Sequence, residues 1–147
     1  MPALNGKFYL SFKLMIMYIT DTKTLREVKM EFQNKFPFLK IEFYRGTHAE
    51  GQGSLEKDHL DETMTIGQAR KIHKEGEMGI HGNLKVSSLE QTFQEDYGLN
   101  VQVFRRSGEL WLQTTSTDEW TLSEQNEKGG KSGSTGQYAT GDNYEVD

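Results

Sequence analysis

Residues 39–45 read LKIEFYR and residues 99–105 read LNVQVFR. In each run a large aliphatic or aromatic residue alternates with a polar one, the period of a strand with one face in a core. Leu39, Ile41 and Phe43 correspond to Leu99, Val101 and Val103. Tyr44-Arg45 corresponds to Phe104-Arg105, with Arg106 following.

The likeness extends backwards into a helix. Leu25, Val28, Phe32 and Phe36 recur at helical spacing, as do Leu89, Phe93 and Tyr97. Phe32-Gln33 answers Phe93-Gln94, and Phe36 answers Tyr97. One residue of slack falls at the turn, where Pro37-Phe38 faces Gly98. Pro37 cannot continue a helix, and Gly98 suits a left-handed cap. Thr24 with Glu27, and Ser87 with Glu90, have the spacing of a capping box. The two segments read as one duplicated helix–strand unit.

Strands complete each unit. Lys13–Ile19 is apolar, with its centre buried on both faces, and Thr20-Asp21 stops it. Met78, Ile80, Leu84 and Val86 surround Gly82-Asn83, which predicts a strand or a small hairpin. Between the units, Gly46–Glu62 has glycine, charge and no period, and predicts a mobile surface loop over about 46–63. Thr65–His73 predicts a short helix, capped by Thr65 with Gln68. After the second unit, Ser107-Gly108 marks a hairpin turn and Leu110–Leu112 the returning strand. Asp118 and Thr121 are caps for a last helix, Thr121 with Glu124. Trp120 and Leu122 pin that helix, and Gly129-Gly130 ends it.

Residues 130–147 are rich in Gly, Ser, Thr and Asp with few apolar anchors, and predict a disordered tail. The expectation is one α+β domain over 1–129. Two βαβ halves side by side give a ferredoxin-like α/β sandwich, plus an extra hairpin strand and helix. Such a fold hosts many unrelated functions.

Composition narrows the chemistry. The chain has 147 residues, 34% of them apolar, and a net charge of -5; mean hydropathy is -0.74 and the pI about 5.4. An acidic chain is a poor match for a phosphate polyanion. The chain has no cysteine, which excludes disulfides, thiolate metal sites and a thiol nucleophile. No run reaches the ~18 apolar residues of a spanning helix. Phe8–Ile19 is the nearest to a signal core, but Lys13 interrupts it and no small-residue cleavage site comes after it. The expectation is a cytoplasmic protein with no membrane partner. Met15 and Met17 stand as alternative starts to Met1.

Three catalytic patterns fail on inspection. Gly130-Lys131-Ser132 resembles the end of a phosphate loop, but position 125 is Gln125 where a glycine is needed. His48, Asp58, His59, Asp61 and Glu62 are metal-ligand types, yet they show no rigid His pair. Thr114–Glu119 gathers hydroxyls and carboxylates with no neighbouring histidine to act as base. No cofactor, metal or catalytic set is expected.

The remaining candidate is a binding face. On a sheet covered by helices on one side, Tyr44 and Phe104 fall on the other, with Arg45, Arg105, Arg106 and Trp111 around them. Aromatic and Arg side chains suit a protein partner or a second copy of the chain. They also suit unpaired bases with their phosphates, against which the acidic charge weighs. A third reading is a regulatory small-molecule domain or enzyme with a pocket beside the loop. Burial of the same face under the C-terminal helix through Trp120 is the purely structural alternative.

Overall fold

A computed structural model describes residues 15–47 and 51–133. Among the described residues the chain is α+β, with two antiparallel sheets and four helices. In order these are β1 (Ile16–Ile19), α1 (Leu25–Lys35), β2 (Leu39–Tyr44), a 3-10 turn (Glu56–Asp58) and α2 (Ile66–Ala69). Then come β3 (Gly76–Gly79), α3 (Val86–Tyr97), β4 (Asn100–Ser107), β5 (Leu110–Gln113) and α4 (Leu122–Ser132).

The pairing departs from the expected single sheet. A ferredoxin-like sandwich keeps β1 beside β3, as here, but also places β2 beside β3 and β4 beside β1 in the same sheet. Here β1 pairs with β3 in one sheet, while β2, β4 and β5 make another in that order. The physical reason lies in length and burial. β1 and β3 have only four residues each, whereas β2 and β4 bury apolar side chains along their length. The buried faces of β2 and β4 meet over six positions, and β5, itself four residues long, joins them through the tight turn after β4.

Both ladders are centred on corresponding residues. Met17 pairs with Met78, and Glu42 with Gln102. Around Glu42, Ile41 faces Val103 and Phe43 faces Val101. The same correspondence relates the segments just beyond these strands. Phe43 O accepts from Leu60 N–H at 2.8 Å, and Val103 O from Thr114 N–H at 3.1 Å. His59 bridges Tyr44 where Gln113 pairs with Phe104.

Helix starts are joined in pairs. Leu25 N–H donates to Met64 O and Ile66 N–H to Lys23 O; Arg26 N–H donates to Glu62 O and Gly67 N–H to Asp21 O. In the second half, Val86 N–H donates to Trp120 O, Leu122 to Leu84 O, Ser87 to Asp118 O and Ser123 to Gly82 O. Each helix start thereby satisfies amides that its own helix leaves open. Thr24, Thr65 and Thr121 add side-chain capping boxes.

The third expected box is absent. The cap of α3 is Lys85, which makes no side-chain cap bond. Ser87 lies inside the first turn, and its hydroxyl donates to Glu119 at 3.3 Å. Gly82-Asn83 is the turn into α3 and not the tip of a hairpin. β1 is half-buried, since Tyr18 is exposed while Met17 and Ile19 are buried. Residues 13 and 14 of the expected strand lie outside the described residues. α4 runs on through Gly129 and Gly130 to Ser132, so the expected tail loses its first residues to a helix. Residues 134–147 lie outside the described residues.

The buried apolar side chains make one cluster. Leu25, Val28 and Phe32 of α1 meet Leu89 and Phe93 of α3 within it, with Leu39, Ile41, Phe43, Val101 and Val103 from the sheet. Phe43 and Phe93 contact edge to face at 6.2 Å. Truncating a fully buried Phe to Ala costs about 3–5 kcal/mol, which makes Phe32 and Phe93 principal anchors.

Candidate functional site

Alternation along β4 sends Val101, Val103 and Arg105 to the core side and Gln102, Phe104 and Arg106 to the other. The matching outer residues are Lys40, Glu42 and Tyr44 on β2, and Trp111 and Gln113 on β5. The six residues singled out from sequence do not share one surface.

Arg105 is on the core side and buried. Its Nη1 donates to Gln125 Oε1 at 2.8 Å, and its guanidinium stacks on Trp120 at 5.8 Å. It joins α4 to the sheet. Trp120 therefore packs with α4 on the core side and does not cover Phe104. Arg45 is exposed, and its backbone N–H holds Asp58 O at 2.7 Å.

Tyr44 is on the outer face but buried, 2% exposed. The ring of His59 meets it edge to face at 5.5 Å. Burial pushes its phenol pKa well above the ordinary value, and the carboxylates of Glu56 and Glu42 push the same way. Its hydroxyl has no hydrogen-bond partner among the described residues. Tyr44 is covered because the chain after β2 returns across its end, held by Gln113 Nε2 to Ser54 O at 3.2 Å and by Gly51 N–H to Asp118 at 2.9 Å.

Phe104, Arg106 and Trp111 stay together and half-exposed. Lys40, which the sequence reading missed, sits between them. Its Nζ lies 5.3 Å from the Phe104 centroid and 5.1 Å from that of Trp111. The Arg106 guanidinium lies 5.4 Å from the Trp111 ring, and its Nε donates to Gly108 O at 2.6 Å. Cross-strand register explains the cluster: Lys40 faces Phe104, and Arg106 faces Trp111. Alternation in LKIEFYR was the available signal for Lys40. It places Lys40 on the Tyr44 face.

Corresponding ends of the outer face thus differ. Around Tyr44, residues 51–60 close over the sheet. Around Phe104 the connection is a tight turn with Gly108 at φ 60°, which leaves the aromatic–cation cluster open.

The other sequence candidates are structural. His59 Nε2 lies 3.1 Å from Glu42 Oε1, and Lys29 Nζ bridges Glu42 and Glu62. Burial raises the Glu42 pKa, but the Lys29 and His59 hydrogen bonds outweigh it and the net shift is downward. Asp61 accepts from Thr63 at 2.7 Å. His48 lies outside the described residues. Among the described residues no group of three or more metal-ligand side chains converges. Thr114 donates its hydroxyl to Val103 O, and Glu119 accepts from Lys85.

One ionic cluster escaped the sequence reading. Asp21 accepts from Arg70 Nε and Nη2 at 3.1 and 2.9 Å, and lies 2.9 Å from His73 Nδ1. Arg70 is buried and donates its Nη1 to Tyr97 O at 3.0 Å. An Asp–His pair orients a general base in many enzymes, but no hydroxyl hydrogen-bonds His73 among the described residues. The cluster clamps the segment after α2 to the turn after β1.

No helix among the described residues is long and apolar enough to cross a membrane. No protein-family model, curated protein or solved structure matches the chain.

Proposed function

We propose that the protein is a non-enzymatic interaction module that holds a protein partner on the outer face of the β2–β4–β5 sheet. The observation that carries this reading is the open cluster of Lys40, Phe104, Arg106 and Trp111. Half-exposed Trp and Arg side chains, held in place by a sheet, lose little freedom on binding and are the commonest binding hot spots. Arg105 lies behind the face, on the core side, and Tyr44 lies at its far end under the returning chain.

The chain is further read as an internal duplication. The reciprocal helix-start bonds and the two ladder centres support it. The second copy, with a tight turn in place of the long connection, is the one that carries the open face.

Base stacking is the weaker reading. Cations already lie over the Phe104 and Trp111 rings, which leaves less π surface for a base.

A photoreactive benzoylphenylalanine in place of Trp111 tests the reading in cells. Protein adducts are expected at this position, lost on Lys40→Glu with Arg106→Glu, and absent from the same probe at exposed Met30. No adduct specific to position 111 removes the proposal. Salt-resistant polarisation binding of mixed single-stranded RNA would replace it with the nucleic-acid reading.

A further inference from the structure

The end of α4 lies at the rim of this face. Ser132 Oγ accepts the N–H of Gly108, the turn residue between β4 and β5, at 3.0 Å. It lies 3.2 Å from the carbonyl oxygen of Arg106 itself. Gly133, the last described residue, thus follows directly on the turn that joins β4 to β5, at the edge between the core side, where α4 packs, and the outer face.

The C-terminal segment is complementary in charge to that surface. Residues 134–147 read STGQYATGDNYEVD. They contain Asp142, Glu145 and Asp147, with Tyr138 and Tyr144, and no Lys, Arg or His. The face offers Arg106 and Lys40 as cations, Lys40 lying 3.4 Å from Glu42 as well, and Trp111 and Phe104 as aromatic surface.

Reach is ample. Eight residues separate Gly133 from Asp142, and each spans up to about 3.5 Å when extended. Three strands side by side are only about 10 Å across. Linkage within one chain gives a contact over so short a separation an effective concentration of roughly millimolar order. A weak contact is then enough to populate the docked form.

We infer that the acidic, tyrosine-bearing segment 134–147 docks on the Lys40–Phe104–Arg106–Trp111 face of its own chain, and competes there with the protein partner. The inference rests on the reading of this face as a binding surface.

The test uses the full 15N-labelled chain and its Asp142→Asn/Glu145→Gln/Asp147→Asn variant. Neutralising the tail is expected to move the Trp111 indole and the Phe104 and Arg106 amide resonances, while the Trp120 indole stays in place. High salt is expected to move the wild-type resonances in the same direction, because exposed charges are screened. The shifts are expected to be independent of protein concentration.

Coincident wild-type and variant spectra at these positions overturn the inference. Shifts that fade on dilution assign the tail to a second copy, and overturn docking within one chain. A synthetic peptide of residues 134–147, added to the neutralised variant, separates the two readings. Peptide binding at Trp111 with no shift between wild type and variant leaves the face a binding surface and removes its occupation by the tail. The cross-linking at position 111 judges the face independently.

Discussion

The carboxylate of Glu90 accepts the backbone N–H of Val103 at 2.9 Å, inside the protein. An α3 side chain thus completes the hydrogen bonding of the central strand β4. Glu90→Leu leaves a buried donor without this acceptor, a loss of about 1–3 kcal/mol. Glu90→Gln keeps an acceptor oxygen and is expected to lose less. Urea unfolding of the two variants checks the order, and equal losses would refute the role of the bond.

Asp21 makes the fold sensitive to acid. The His73 hydrogen bond lowers its pKa most; burial opposes, and Arg70 lowers it further. A carboxylate whose folded pKa is depressed adds stability above its unfolded pKa, near 3.9, and that stability is lost as pH falls through the lower folded value. The wild-type Tm is therefore expected to fall more steeply below about pH 4 than that of Asp21→Asn. At neutral pH, Asp21→Asn is expected to be the less stable, because buried Arg70 loses its carboxylate partner. Parallel Tm curves across the acid range would contradict this.

Lys85 is the position to improve. Thr24, Thr65 and Thr121 cap their helices by side chain, and Thr24 pairs with Thr65 as Lys85 pairs with Thr121. Lys85→Thr supplies the missing cap, worth about 1 kcal/mol. It removes the exposed Lys85–Glu119 ion pair, worth between about 0 and 1 kcal/mol. A higher Tm is expected, and a lower one would show that the ion pair outweighs the cap.

Gly129 sets the approach of α4 to the sheet. In an open helix, Gly→Ala stabilises by about 1 kcal/mol. A Cβ at Gly129 would lie 2.9 Å from Phe38 Cβ and 3.0 Å from the Phe38 carbonyl oxygen. Backbone cannot yield as a long side chain can. Gly129→Ala is therefore expected to lower Tm, whereas a gain would mean that α4 shifts freely.

β2, β4, β5, the long helices and three of the four caps were legible because each depends on spacing within a few residues, whereas of the residues expected around β3 only Met78 lies in it. Leu39–Phe43 alternates because strands alternate, and Thr24, Thr65 and Thr121 cap because a hydroxyl can reach an amide three residues on. Lys85 was missed because the bonds that flank it, Val86 N–H to Trp120 O and Leu122 N–H to Leu84 O, join residues far apart along the chain. The site was half legible. Alternation assigned Phe104 and Trp111 correctly to the outer face, but it assigns a face and not an exposure.

By itself, the sequence determined the α+β content, the likeness of the runs 32–45 and 93–105, and the absence of cysteine chemistry. These come from local periodicity and from residue inventory. Only the tertiary structure decided which strands pair, since register and partner are settled by burial across the chain and not along it. The same is true of Tyr44 and Phe104. They hold corresponding positions in corresponding strands, and one is covered because the chain after it is long enough to fold back. The other stays open because Gly108 turns the chain at once into β5.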